Sequence, residues 1–193
     1  MATESEDVLK GVELVDNEYK VVQALFRNKY KAYDASGDLV LQGKQKMLKL
    51  KEEFPFLDGD GEPAFTVKAG GVLDVAGNYA LIDEVTDETV IAIEKKWTMV
   101  NHRWKLRDPE TEALIAEINS KSTIAAFLRD SSALFSLIPH TYEIIDADDD
   151  HVGTIESKLS LKDKYTITID DTSDVPREAV VAAAMVIDAL EGN

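Results

Sequence analysis

Residues 177–190 read REAVVAAAMVIDAL, and from Ala179 to Ile187 no side chain is polar. At about 100° per residue that run covers roughly two and a half helical turns, so a helix built from it has no face for water. Such a helix is either buried on every side or spans a membrane. Spanning takes about 20 predominantly apolar residues, and this run is bounded by Arg177, Glu178 and Asp188. Its surroundings must therefore be protein. Ser173 or Asp174 can cap the start, Pro176 is tolerated in the first turn and Glu178 complements the helix dipole. Asp188 lies at the unfavourable, negative end, and is expected to meet a basic partner or to protrude at the rim of whatever encloses the helix.

What encloses it is written as a repeat. An aromatic residue is followed four positions later by aspartate in Tyr30/Asp34, Phe54/Asp58, Tyr79/Asp83, Trp104/Asp108 and Tyr142/Asp146, the aromatic positions stepping by 24, 25, 25 and 38. An apolar residue precedes each aromatic by four: Phe26, Leu50, Val75, Val100 and Ile138. Each aspartate opens a polar stretch (DASGD, DGDGEP, DEVTDET, DPETE, DADDDH), and a β-type run follows: LVLQG from Leu39, AFTV from Ala64, TVIAI from Thr89, ALIAEI from Ala113 and VGTI from Val152. Each unit reads as strand, tight turn, strand. Tyr165 lies in a last strand, KYTITID, that runs into DTSDVPRE and the helix.

With an early strand around Tyr19 to Phe26, about ten to twelve strands result, the number at which an open sheet curls and closure removes its edges. A barrel of about eight strands is filled by its own side chains, whereas ten to twelve leave a lumen that a helix roughly 10 to 12 Å across can plug. The fold class expected is mainly β (α+β): a closed antiparallel barrel of about twelve strands, built from repeated hairpins, around a buried C-terminal helix at about 176–190. Residues 1–18 are expected to be an acidic segment that frays or forms a brief helix, and residues 19–193 one domain. The longer gap before the fifth unit, NSKSTIAAFLRD from Asn119 to Asp130, suggests a short amphipathic helix through Ile124, Phe127 and Leu128.

These hairpins, as in TYEIIDADDDHVGTIESK and KYKAYDASGDLVLQG, followed by DVPREAVVAAAMVIDAL, resemble the LURP-one-related family of the Tubby C-terminal-like superfamily, from about Tyr19 to Leu190. The resemblance implies about twelve strands wrapped on a central C-terminal helix. Tubby proteins bind phosphoinositides and the related scramblases are membrane-associated, whereas the LURP-one-related branch has no established general biochemistry. No phosphoinositide-binding motif matches this chain residue by residue.

The 193 residues carry a net charge of −16, which disfavours nucleic acid and anionic membrane surfaces as partners. There is no cysteine, so disulfides, thiolate nucleophiles and Cys-based zinc sites are excluded. The opening MATESEDVLKG has neither the basic nor the apolar region of a signal peptide. A cytoplasmic monomer is expected. The densest basic stretch, KKWTMVNHRWKLR, supplies Lys95, Lys96, Arg103, Lys105 and Arg107 as candidates for holding an anionic group. On a strand, Arg103, Lys105 and Arg107 share the outward face, where cross-strand Glu and Asp can equally neutralise them. A second cluster, Lys44, Lys46, Lys49 and Lys51, is expected nearby if hairpins neighbour in sequence order.

The turns with Asp146, Asp148, Asp149, Asp150 and His151, and with Asp58, Asp60 and Glu62, collect oxygen ligands, but neither has the spacing of a calcium loop. His102, His140 and His151 stand in no known catalytic arrangement, and no nucleophile elbow, HExxH, Walker loop or complete GxGxxG is present. The reading is a non-catalytic interaction module without cofactor, binding a protein or small ligand; the rival is a peripheral phospholipid binder using the basic strand face.

Overall fold

The computed structural model describes residues 9–24, 29–44, 53–69, 78–97, 102–121, 141–158 and 164–191. Twelve strands, β1 (Glu18–Ala24), β2 (Lys29–Tyr33), β3 (Leu39–Lys44), β4 (Glu53–Asp58), β5 (Pro63–Ala69), β6 (Asn78–Asp83), β7 (Thr89–Trp97), β8 (His102–Arg107), β9 (Leu114–Ser120), β10 (Thr141–Asp146), β11 (His151–Lys158) and β12 (Lys164–Ile169), precede one helix, α1 (Arg177–Glu191). Each strand pairs antiparallel with its sequence neighbours, and β1 pairs with β12 to close the barrel. The helix fills the lumen: every residue from Ala179 to Ile187 is at most 3% exposed. Its alanines let the wall approach, and each large side chain buried there contributes about 1.5–3 kcal/mol.

The four-residue repeat follows from strand parity. Positions i and i+2 face the lumen (Tyr30 and Ala32, Phe54 and Phe56, Tyr79 and Leu81, Trp104 and Leu106, Tyr142 and Ile144), and the aspartate at i+4 comes up at the rim on the same side. Each hairpin then carries a bulge at one equivalent place, between i+2 and i+3 of the first strand. The extra residue in the return strand is Val40, Ala64, Val90, Ile115 or Val152, an apolar residue in all five. A bulge bends its strand and increases the local twist, so five in phase curve the sheet toward closure. Gly43 lies where a Cβ would stand 2.6 Å from the Phe56 ring, which stacks on Phe65 with centroids 4.5 Å apart.

The expected strand runs, hairpins and closed barrel are all present. Neither fraying nor a short helix describes residues 9–17, which run as irregular chain over the turn-bearing end of the barrel with Leu9 and Leu14 buried. Of the suggested helix at Asn119–Asp130, Asn119 and Ser120 instead end β9, and residues 122–130 lie outside the described residues, as do Phe26, Leu50, Val75, Val100 and Ile138.

Candidate functional site

All five hairpin turns, the loop from β12 to α1 and residues 9–17 gather at the end of the barrel where the helix begins. This rim is dense in carboxylates, and the repeat aspartates among them are used by the chain itself. Asp34 Oδ1 accepts the N–H of Asp38 at 2.8 Å. Asp58 Oδ1 accepts those of Asp60, Gly61 and Glu62 at 2.8–2.9 Å. Asp108 Oδ1 takes Glu110 N, Thr111 N and the Thr111 hydroxyl, and Asp146 Oδ1 takes Asp148 N and Asp150 N. The aspartates are turn caps, which is why this residue type recurs at this position. Asp108 is consequently held below the usual carboxylate range, by the Thr111 N–H foremost and then its hydroxyl.

Asp83 goes further. It is fully buried, with Oδ1 accepting Val85 N and Thr86 N and Oδ2 accepting Lys10 N at 2.5 Å. Burial alone would raise its pKa, but the N–H groups of Thr86, Lys10, Val85 and Gly11 more than offset this and hold the carboxyl below its ordinary value. Glu178, also buried, accepts Leu14 N at 2.7 Å, and Arg177 donates to Asp16 O and Asn17 Oδ1. Thus Asp83 from the wall and Glu178 from the helix jointly pin the opening segment across this end.

A cleft of about 580 Å³ lies between the β10–β11 turn and the β12–α1 loop, lined by Asp146, Asp148, Asp150, His151, Asp170 and Asp174 among others. Among the described residues no cluster of three His, Asp or Glu is arranged to hold a metal ion.

On the outer wall, Arg103, Lys105 and Arg107 do face outward, with Trp104 and Leu106 buried between them. Lys105 pairs with Glu117 across the β8–β9 ladder, and Arg107 bonds Glu94 at 3.3 Å and the carbonyl of Glu112 at 2.8 Å. Lys96 reaches Glu94 at 3.6 Å. Glu117 is held below its ordinary range: burial opposes, and Lys105 with Asn119 outweighs it. Arg103 is exposed. Lys95 belongs to the other face, opposite Trp104 in register, with its Nζ 4.7 Å from that ring's centroid. The five candidate cations are therefore split between two faces of the wall.

Of the second lysine cluster only Lys44 is described, at the end of β3, five strands from β8 in the ladder order. Lys46, Lys49 and Lys51 lie outside the described residues, as does His140; His102 begins β8. At the far end of the helix Asp188 is half-buried near Tyr165, whose hydroxyl is enclosed and raised well above its ordinary pKa by burial first and the Asp188 charge second.

A family model described as LURP-one-related matches residues 39–188. The chain belongs to the LURP-one-related family. No curated protein sequence matches it. Among solved structures, the X-ray structure of a protein from Arabidopsis thaliana is similar to this LURP-one-related barrel with a TM-score of 0.57 at 12% identity, covering 94% of this chain and 95% of the other. At that identity the likeness speaks for the fold alone. No helix among the described residues is long and apolar enough to cross a membrane.

The turn caps were signalled by the repeat, but the pinning of residues 9–17 was not. Its only sequence trace is two leucines five residues apart in an acidic stretch, a pattern with no helix or strand period.

Proposed function

We propose that this LURP-one-related protein is a non-catalytic binding module, a cytoplasmic monomer without cofactor that presents its barrel ends and outer wall to a protein or small ligand. The observation that carries this reading is the filled lumen. With α1 occupying the interior and the sheet closed, the described residues offer neither an interior ligand chamber nor an edge strand. The repeat carboxylates serve their own turns, and His151 sits exposed in the open cleft. Affinity capture on the intact protein, with mass spectrometry of retained proteins and small molecules, tests it. One species held in stoichiometric amount and returned unchanged supports the reading; chemical conversion of that species overturns it.

A second reading, attachment to an anionic phospholipid surface, is favoured by the side-by-side Arg103, Lys105 and Arg107 on the wall, of which Arg103 is exposed. It is weakened by Glu117 and Glu94, which already engage Lys105 and Arg107. Salt-sensitive sedimentation with anionic vesicles, abolished by Arg103→Glu with Lys105→Glu, would move the assignment there.

A further inference from the structure

The barrel wall closes without residues 9–17, since every ladder, β1 with β12 included, lies within the strands. The opening segment is an addition laid across a finished end, and it is held as a peptide ligand is held. Leu9 and Leu14 are 1% and 4% exposed, seated in the core. Between them the backbone is taken by carboxylates: Lys10 N by Asp83 and Leu14 N by Glu178. Gly11 lies so close to the wall that a Cβ there would stand 2.7 Å from the carbonyl oxygen of Ala64. Lys10, Glu13 and Val15 point to solvent, Val15 at 72% exposure. Two apolar pockets, two backbone acceptors and a close approach open only to glycine define a Leu-x-Gly-x-x-Leu segment that turns at Lys10 and Gly11.

We propose that this end of the barrel is a peptide-docking groove that residues 9–17 occupy in cis, and that its occupant in trans is a Leu-x-Gly-x-x-Leu segment of a partner protein with basic residues at the solvent-facing positions. Charge selects the partner over a second copy. The groove lies on a rim of acidic turns in a chain of net charge −16, so two copies repel, and the resident segment brings Glu13 to an already negative surface. A segment with lysine at the positions of Glu13 and Val15 keeps both leucine seats and both backbone bonds while removing that repulsion. The resident segment then acts as a competitor that sets a threshold for the incoming one. This inference rests on the binding-module reading and names its partner class; a groove that rejects such peptides leaves the capture experiment above free to find a different ligand.

The test uses the full chain with Gly11→Val, which displaces the resident segment, and fluorescence anisotropy with a labelled peptide of the sequence of residues 9–17 carrying Glu13→Lys and Val15→Lys. The peptide is expected to bind the variant at least tenfold more tightly than it binds the unaltered chain, to weaken as salt is raised, and to lose at least tenfold when its Leu14 is replaced by alanine. Absence of binding to the variant, indifference to the Leu14 replacement, or concentration-dependent dimerisation of the variant in place of peptide binding overturns the proposal. Should Gly11→Val fold poorly, the unaltered chain decides by hydrogen exchange. The amides of Lys10 and Leu14 are expected to exchange at least 100-fold faster than those of β1 and β12, through an opening that leaves the ladders intact; exchange together with the ladders overturns a detachable segment.

Discussion

Carboxylates at the turn end of the barrel and carboxylates on the β7–β9 wall do different work. At the turns Asp34, Asp58, Asp83, Asp108 and Asp146 accept backbone N–H groups and so replace acceptors the hairpins lack. On the wall Glu94 and Glu117 neutralise Arg107 and Lys105. The first kind is a part of the backbone's hydrogen-bond accounting and is fixed by geometry; the second is a cross-strand ion pair between side chains 15–26% exposed, whose edge solvent still reaches. Carboxylates of the first kind are built into the hairpins and keep their charge at the rim, whereas those of the second are spent on neutralising the wall.

The largest break in this contrast is at Asp83. Asp83→Ala removes the acceptor for Val85, Thr86 and Lys10 in a buried site, leaving N–H groups unsatisfied at about 1–3 kcal/mol each before relaxation. A net loss of about 3 kcal/mol is expected in urea unfolding, with faster exchange at Lys10. A loss under about 1 kcal/mol would mean that the opening segment is held by its leucines alone.

Acidification separates the two kinds of carboxylate next. Asp83, Asp108 and Glu117 all have pKa values below their ordinary ranges. A depressed folded pKa contributes stability that is present above the unfolded value, about 4, and is lost as pH falls through the folded value. The urea midpoint is thus expected to hold near neutrality and to drop below about pH 4. In 1 M NaCl the part owed to Glu117 and Lys105 should shrink, while the part owed to backbone N–H groups at Asp83 persists. An acid limb that vanishes altogether in salt would assign the turns to charge rather than hydrogen bonding.

The wall pair itself is the gentler case. Lys105→Met with Glu117→Met, measured against each single change in a double-mutant cycle, should give a coupling of about 0.5–1 kcal/mol. A coupling above about 2 kcal/mol would place this pair in the same class as the turn caps.

The sequence made the helix and the hairpins legible because both obey a period: nine apolar residues leave α1 no wet face, and aromatic-to-aspartate spacing of four matches two lumen-facing positions plus a rim. What it hid was the phase shift inside each hairpin. Val40, Val90 and Ile115 break strict alternation by standing next to Leu41, Ile91 and Ala116, and two adjacent apolar residues read equally well as a buried strand or a bulge. Partners that depend on register across strands, such as Glu117 for Lys105, were hidden for the same reason. Residues 9–17 were unreadable on other grounds, since their stability comes from Asp83 and Glu178, 73 and 164 positions away from their donors.

The smallest effect concerns the turns alone. Three turns place a non-glycine residue at positive φ, Asp87 at 59°, Glu112 at 60° and Asp149 at 71°, where the β2–β3 and β4–β5 turns use Gly37 at 89° and Gly61 at 93°. An L-residue in that conformation costs on the order of 1 kcal/mol, and aspartate tolerates it better than glutamate because its short side chain can bond locally. Glu112 is thus the least suited of the three. Glu112→Gly relieves that cost but adds about 0.4–1 kcal/mol of freedom to the unfolded chain, so the net change should be a gain of about 0.3 kcal/mol, seen as a slightly raised urea midpoint with unchanged slope. The carbonyl of Glu112 still receives Arg107 after the change, so a loss of stability would show that the Glu112 side chain, and not only its backbone, is engaged in the turn.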